Sequence, residues 1–227
     1  RARRTSPHFV NMSDLNPHPE QEAPTTNEAA ETQAAQPTVA PQEKPQPVLR
    51  NPPVLTLPDW KGAPASHWLT QWEHQHGLRR VNQHDWQRPL RGDWMMQLQE
   101  AVLTHEQCHL LAHGLAAHLV DAWLKHTQQA RRVLSVTLVD PIDLQGEELR
   151  ETLFTWKPQV RQPWHLPAAV LWKERQPTPE LQALLDTWGV QPLNDGTPVG
   201  GGVVGGWALL PTYWTQHEQT AEHAAKG

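Results

Sequence analysis

The chain of 227 residues has a net charge of −5 and scattered basic residues, which argues against nucleic-acid binding. No segment reaches the roughly 18 uninterrupted apolar residues that a membrane-spanning helix needs, and no apolar stretch follows the basic residues 1–4, as it does in a signal peptide. The single cysteine, Cys108, excludes an internal disulfide and is typical of a reducing compartment. We therefore expect a cytoplasmic protein with neither nucleic-acid nor membrane partners.

The beginning of the chain is too polar to form a core. Residues 1–51 are rich in Pro, Gln, Glu, Ala and Thr, and Phe9 is their only aromatic residue. Such a composition buries too little apolar surface to offset the entropy of ordering, so it predicts disorder. Met12 is a candidate start of the native chain. We expect one folded domain over residues 52–219 and a disordered tail over residues 220–227.

Short apolar runs alternate with segments of helical periodicity throughout the expected domain. The predicted strands are residues 54–57, 79–83, 107–112, 133–139, 168–172 and 190–193. The predicted helices are residues 66–76, 92–103, 115–125, 179–188 and 207–217. Strands that alternate with helices over short links form a parallel sheet with helices on both faces. The sequence therefore predicts an α/β fold with a three-layer, doubly wound, mostly parallel sheet.

One junction in this pattern carries a chemical signal. The apolar run from Cys108 to Ala112 ends in a small-residue turn, and a second apolar run continues at helical spacing to Leu124. A strand, a tight turn and a helix with a polar apex form the nucleophile elbow of an α/β-hydrolase, which normally reads Gly-x-Ser-x-Gly. Here the apex is Gly114, which has no side-chain atom that could attack a carbonyl group.

Several segments together resemble a known family, the small serine hydrolases of the α/β-hydrolase fold that include retinoblastoma-binding protein 9 and its bacterial relatives. The segments that carry the resemblance are Leu57-Pro58-Asp59-Trp60, Asp85-Trp86, Asp93-Trp94, Leu111-Ala112-His113-Gly114-Leu115-Ala116, Thr187-Trp188-Gly189 and Gly206-Trp207. The resemblance covers about residues 54–210 and implies the α/β-hydrolase fold. It also implies descent from an enzyme that hydrolyses esters or amides with a serine, a histidine and an acid. We expect no cofactor.

The chain departs from this family at each catalytic position. Gly114 replaces the serine, Gln176 stands at the acid position of the family's Asp-Asp-Pro segment, and residues 196–202 lack the histidine. The family's opening Pro-Gly-Trp has become Pro58-Asp59-Trp60. The three catalytic residues act as a unit, and losing one typically leaves only about 10³–10⁴-fold acceleration over water. The three absences are therefore one coherent loss.

The sequence thus predicts a non-catalytic member of the family that binds a small molecule or a protein partner. The candidate pocket residues are Trp60, His113 and Leu115, next to the degenerate apex. The alternative is an active family-type hydrolase that acts on small esters or amides through relocated residues. Cys108 is a poor candidate for a relocated nucleophile, because a lone cysteine in mid-strand is expected to be buried and inert.

A second alternative is a zinc peptidase. His105-Glu106-Gln107-Cys108-His109 matches H-E-x-x-H, which on a helix places both imidazoles on one face, and Glu147 or Glu148 is a candidate third ligand. This interpretation requires one continuous helix through the segment. If the segment is instead a loop and a strand, the two histidines lie about 13 Å apart at ~3.3 Å per residue, too far for one zinc ion. Fourteen histidines also make a chance match plausible, so we expect no metal site.

Overall fold

The structure is a computed structural model that describes residues 50–145, 151–157 and 160–227. The expected disordered segment, apart from Arg50 and Asn51, lies outside the described residues, as do Glu147 and Glu148.

Six parallel strands form one sheet in the order β2-β1-β3-β4-β5-β6. The strands are β1 (Val54–Leu57), β2 (Arg79–Arg80), β3 (Cys108–His113), β4 (Val133–Val139), β5 (Ala168–Leu171) and β6 (Gln191–Pro192). Every residue of β3 and β4 is buried. This explains their nearly continuous apolar sequences, because central strands of a parallel sheet face helices on both sides.

In the described part of the chain, five α-helices cover the two faces of the sheet. They are α1 (Trp68–His76), α2 (Arg91–Leu103), α3 (Ala116–Leu124), α4 (Pro179–Trp188) and α5 (Leu209–Lys226). One apolar cluster joins α2, α3 and α4 to the sheet face that carries Leu110 and Ala112. A second cluster joins α1 and α5 to the face that carries Leu111. Successive side chains of β3 therefore point into two separate cores, one on each face of the sheet. The predicted three-layer α/β fold is confirmed.

The elements differ from the sequence prediction mainly at the edges of the domain. β2 has two residues rather than five, although Val81 N still donates to Thr56 O (2.9 Å) beyond the strand. β6 is limited to Gln191–Pro192, although Leu193 N still donates to Val170 O (2.8 Å) beyond the strand. The last helix begins at Leu209 and continues to Lys226, past position 220, where a disordered tail was expected. Good helix formers such as Ala221, Glu222 and Ala225 lie in this extension.

The strand order places a crevice at the carboxyl edge of the sheet. The chain steps outward from β1 to β2 and then returns across β1 to β3, so the strand order reverses between β1 and β3. Ligand sites of open α/β sheets lie at this switch point, beyond the carboxyl ends of the strands. Asp59 follows β1, and Gly114 follows β3. No helix of the described part of the chain is long and apolar enough to cross a membrane.

Candidate active site

The nucleophile elbow predicted from the sequence is present. β3 ends at His113, Gly114 turns the chain with φ +59°, and α3 begins at Ala116. This backbone conformation is uncommon for residues with a Cβ and is the one that the elbow requires of its apex. The strand-turn-helix geometry also contradicts the continuous helix on which the zinc alternative depended.

The side chain of Asp59 fills the space above Gly114. A Cβ atom added to Gly114 would lie 2.1 Å from Asp59 Cγ and 2.2 and 2.4 Å from its two carboxyl oxygens. These separations are far inside van der Waals contact, so the carboxyl group occupies the volume that a serine side chain would take. Glycine at the apex and aspartate at position 59 are therefore sterically linked.

The same carboxyl group binds the backbone donors that surround the apex. Asp59 Oδ1 accepts hydrogen bonds from Leu115 N (2.7 Å) and from its neighbour Trp60 N (2.9 Å). An oxyanion hole of this fold is made by the N–H of the residue after the nucleophile and an N–H from a loop that follows an early strand. Leu115 and Trp60 hold these two positions. The chain thus places its own carboxylate oxygen where a substrate oxyanion would bind.

The charge of this carboxylate is only partly compensated. Asp59 is 8% exposed, and its burial raises the pKa of the carboxyl group, whereas the Leu115 and Trp60 amides and the Arg175 guanidinium lower it. Arg175 Nη2 lies 3.7 Å from Asp59 Oδ2, and its side chain is 45% exposed. Gln176, the predicted acid position, is exposed and follows directly in the chain. A cation next to the predicted acid position therefore faces the carboxylate above Gly114.

The three predicted pocket residues lie around the apex. Trp60 and Leu115 contribute backbone N–H groups, and the Leu115 side chain is fully buried in the core. His113 packs between His67 and Trp68, with ring centroids 5.2 and 5.0 Å away. Burial lowers the pKa of His113 to about 3, with His67 and Arg175 acting in the same direction, so the imidazole is neutral at physiological pH.

Asp140 organises the loop that carries the predicted acid position, a role that the sequence analysis missed. Its Oδ1 accepts from Lys173 N (2.7 Å) and Arg175 N (3.2 Å), and its Oδ2 accepts from Glu174 N (2.9 Å). Asp140 is fully buried and has φ +44°. Its position directly after a buried strand was the available signal.

The segment predicted to have lost the family's histidine, residues 196–202, runs into a glycine-rich loop at residues 200–206. The loop wraps around the buried ammonium group of Lys173, which donates to Gly200 O (3.2 Å), Gly205 O (2.9 Å) and Gly202 O. The rings of Trp68 and Trp72 lie 5.4 Å from the Lys173 nitrogen. Burial lowers the pKa of Lys173, while Glu174 and Asp140 raise it. The Lys173 ammonium group, with three carbonyl acceptors, thus anchors this loop to the sheet.

A hydroxyl, an imidazole and a carboxylate meet elsewhere in the fold, beneath α5. Ser135 Oγ lies 2.8 Å from His109 Nδ1, and His109 Nε2 lies 3.1 Å from Glu218 Oε1. Ser135 and His109 are fully buried in the middle of β4 and β3. Because β4 pairs with strands on both sides, its backbone N–H groups are used in the sheet rather than free to bind an oxyanion. We interpret this network as a structural anchor for α5, to which Arg50 adds an ion pair with Glu218 (2.6 Å).

The alternative catalytic and metal-binding residues lie in environments that do not suit those roles. His105 lies in the link between α2 and β3, and His109 lies within β3, with both of its ring nitrogens engaged by Ser135 and Glu218. Within residues 50–145, 151–157 and 160–227 no group of three His, Cys, Asp or Glu side chains could hold a metal ion. Cys108 is fully buried, and burial raises the pKa of its thiol to about 12, so it is inert as a nucleophile.

The steric link between Asp59 and Gly114 predicts strong coupling between substitutions at the two positions. Gly114→Ala should lower the free energy of unfolding by about 2–4 kcal/mol, because the new Cβ displaces the carboxylate and leaves two buried amides without an acceptor. In an Asp59→Gly background, the same change should cost only the backbone strain, about 1–2 kcal/mol. Urea unfolding of the four proteins of this double-mutant cycle measures the coupling. Additive effects would contradict the proposed overlap.

A second prediction concerns the charge of Asp59. Asp59→Asn keeps an acceptor oxygen for both amides and removes a buried charge, so we expect a change of less than about 1 kcal/mol in the free energy of unfolding at pH 7. Asp59→Ala removes the acceptor and should cost about 2–4 kcal/mol. Denaturant unfolding of the two variants compares these effects directly. Equal losses in both would show that the charge, rather than the acceptor, matters.

The buried histidines predict how stability depends on pH. Burial lowers the pKa of His109 and of His113 to about 3, against an ordinary value of 6.5. The unfolded chain therefore binds more protons between these values, and stability is lost as the pH falls from 6.5 toward 3. Between pH 7.5 and pH 5.0, the wild-type protein should lose more stability than a His109→Gln/His113→Phe variant. Exposed His223→Gln serves as the control and should leave the difference unchanged.

The Lys173 contacts predict that the glycine-rich loop depends on one side chain. Lys173→Met removes the donor for the Gly200, Gly202 and Gly205 carbonyls, so the loop amides should exchange hydrogen faster. Hydrogen–deuterium exchange of residues 200–206, compared with that of β3, measures the effect. Lys226→Met, at an exposed lysine of α5, is the matched control. Unchanged exchange in the loop would rule out this anchoring role.

Comparisons with known proteins agree with this geometry. Residues 54–191 match the family model described as serine hydrolase. The structure is similar to a YdeN-like hydrolase from Pectobacterium atrosepticum, with a TM-score of 0.53 and 16% identity over 75% of this chain and 89% of that one. It is also similar to the ydeN gene product of B. subtilis, with a TM-score of 0.52 and 16% identity over 73% and 98% of the two chains. A search of curated proteins finds no match.

At such low identity the two structures support the fold alone, which is that of the α/β-hydrolases. The family match spans more than half of the sequence and includes both β1 and the β3–α3 elbow. The chain therefore belongs to the serine hydrolase family.

Proposed function

We propose that this chain is a non-catalytic member of the serine hydrolase family that acts by binding a small molecule or a protein partner. The observation that carries the proposal is the Asp59 carboxylate, which fills the nucleophile's space and accepts both oxyanion-hole hydrogen bonds. The missing serine removes the attacking atom, and the occupied hole removes the stabilising donors. Each change alone would suppress acyl transfer.

The electrostatics of the site strengthen this argument. Hydrolysis of an ester builds negative charge on the carbonyl oxygen, and catalysis needs donors that are free to meet it. A carboxylate already in the hole engages those donors and repels the developing charge. Arg175, at 3.7 Å and partly exposed, offsets this repulsion incompletely. The site therefore disfavours the transition state that the family stabilises.

The competing proposal is an active hydrolase whose catalytic residues are relocated. The serines of the chain are the candidate nucleophiles through which this proposal can be tested. The chain has four serines, Ser6, Ser13, Ser66 and Ser135. Ser135 has a histidine and a carboxylate in line but is fully buried, so a substrate could not reach it without displacement of α5. Ser66 is exposed beside His67 at the start of α1. Ser6 and Ser13 lie outside the described residues.

Activity-based labelling separates the two proposals. We expect neither labelling by a fluorophosphonate probe nor turnover of p-nitrophenyl butyrate above the rate in buffer. Ser66→Ala and Ser135→Ala variants should behave like the wild-type protein in both assays. A label that maps to one serine and disappears when that serine is replaced would overturn the non-catalytic assignment, as would turnover that either substitution abolishes.

A further inference from the structure

A cavity of about 790 Å³ lies at the edge of the sheet opposite the degenerate catalytic site. It is bounded by the carboxyl end of α3, by Val133 at the start of β4 and by the segment that leads into β5. We call it the strand-start cavity. Because all six strands are parallel, this edge is far from the crevice that Asp59 fills. The cavity has the size of a small-molecule site, for which about 300–1,000 Å³ is typical.

Apolar side chains form part of the wall of the strand-start cavity, and one aromatic ring in this wall is held rigidly. Leu124, Val133 and Leu166 line it together with the indole of Trp164. Trp164 stacks on buried Trp188, with ring centroids 4.8 Å apart and an angle of 18° between the rings. Its Nε1 also donates to Asp121 Oδ1 (3.1 Å). A ring fixed by stacking and by a hydrogen bond is a preformed surface for a flat, apolar ligand.

The charges around the cavity favour an anion. Asp121 is buried, and Lys125 neutralises it through a contact of 2.6 Å from Nζ to Oδ2. Arg131 and His165 line the mouth and are exposed, and neither has a hydrogen-bond or ion-pair partner among the described residues. The adjacent Arg132 differs, because it donates to His105 O (2.6 Å) and to Gln129 Oε1 (2.9 Å). Arg132 thus stabilises the fold, whereas the guanidinium group of Arg131 is available to bind a ligand.

We infer that the strand-start cavity binds a flat organic anion, an aromatic carboxylate, with its ring against Trp164 and its carboxylate at Arg131. A guanidinium group suits a carboxylate because its N–H groups match the two oxygens in one plane. The cavity shares no described residue with the Asp59 site. The inference names a site and a ligand class for the binding role, and it stands whether or not the protein has hydrolase activity.

Calorimetric titration with 2-naphthoate tests the inference. The wild-type protein should bind 2-naphthoate saturably, and 2-naphthylmethylamine, a cation of the same shape, at least tenfold more weakly. Arg131→Glu should weaken binding of the acid at least tenfold and strengthen binding of the amine. Arg79→Glu is the matched control, since Arg79 is an exposed arginine on β2, away from the cavity. It should leave both affinities unchanged.

A nuclear magnetic resonance experiment locates the bound probe. The indole N–H signal of Trp164, identified by its absence in a Trp164→Phe variant, should shift during the titration of the wild-type protein. Thermal unfolding of each variant checks that it is folded. The inference is overturned if 2-naphthoate does not bind saturably or the Trp164 signal does not move. It is equally overturned if Arg79→Glu weakens binding as much as Arg131→Glu. Neither experiment measures turnover. A negative result would therefore not bear on the non-catalytic proposal, which activity-based labelling tests separately.

Discussion

One carboxylate oxygen, Oδ1 of Asp59, determines the state of the site that this fold uses for catalysis. Two backbone N–H groups, from the start of α3 and from the loop after β1, converge on it. Buried donors of this kind are costly when unpaired, by about 1–3 kcal/mol each. Active hydrolases leave them to water and to the substrate. This chain supplies the acceptor itself, and a glycine at the apex leaves room for it.

The charged residues near Asp59 are connected to its carboxylate. A buried carboxylate needs compensating charge, and Arg175 supplies part of it from the loop that Asp140 gathers through three backbone hydrogen bonds. That loop begins with Lys173, whose ammonium group binds carbonyl groups of the glycine-rich segment. Asp59, Arg175, Asp140 and Lys173 thus form one connected network beside the elbow.

The local features of this fold could be predicted from sequence because their causes are local. β4 and α4 have the predicted bounds. β4 is a run of seven residues that are all apolar or β-branched except one serine. α4 begins after the N-cap Thr178 and ends at Gly189, which has a left-handed conformation. The β3–Gly114–α3 turn was visible for the same reason. The edge strands were overestimated, since their extent depends on one neighbouring strand and not on their own pattern.

The contacts of the site could not be predicted in this way. Asp59 accepts a hydrogen bond from the Leu115 amide, which lies 56 positions later in the sequence. No sequence periodicity relates two positions so far apart. The change from Pro-Gly-Trp to Pro58-Asp59-Trp60 was visible as a departure, but its pairing with Gly114 is a matter of three-dimensional packing. Lys173 stands in a charged stretch that is typical of solvent exposure, yet it is fully buried, because three carbonyl groups of a distant loop enclose it.

The tight packing of the glycine-rich loop has an evolutionary consequence. A Cβ at Gly205 would lie 1.5 Å from Gly200 O, and one at Gly206 would lie 2.7 Å from Leu171 Cδ2. A mutation that brought an imidazole to either position would disrupt the loop before it could restore any chemistry. Positions 59 and 114 are constrained in a similar way, because a side chain at position 114 would displace the Asp59 carboxylate. The effect of a substitution at one of these two positions therefore depends on the residue at the other, which is epistasis between them.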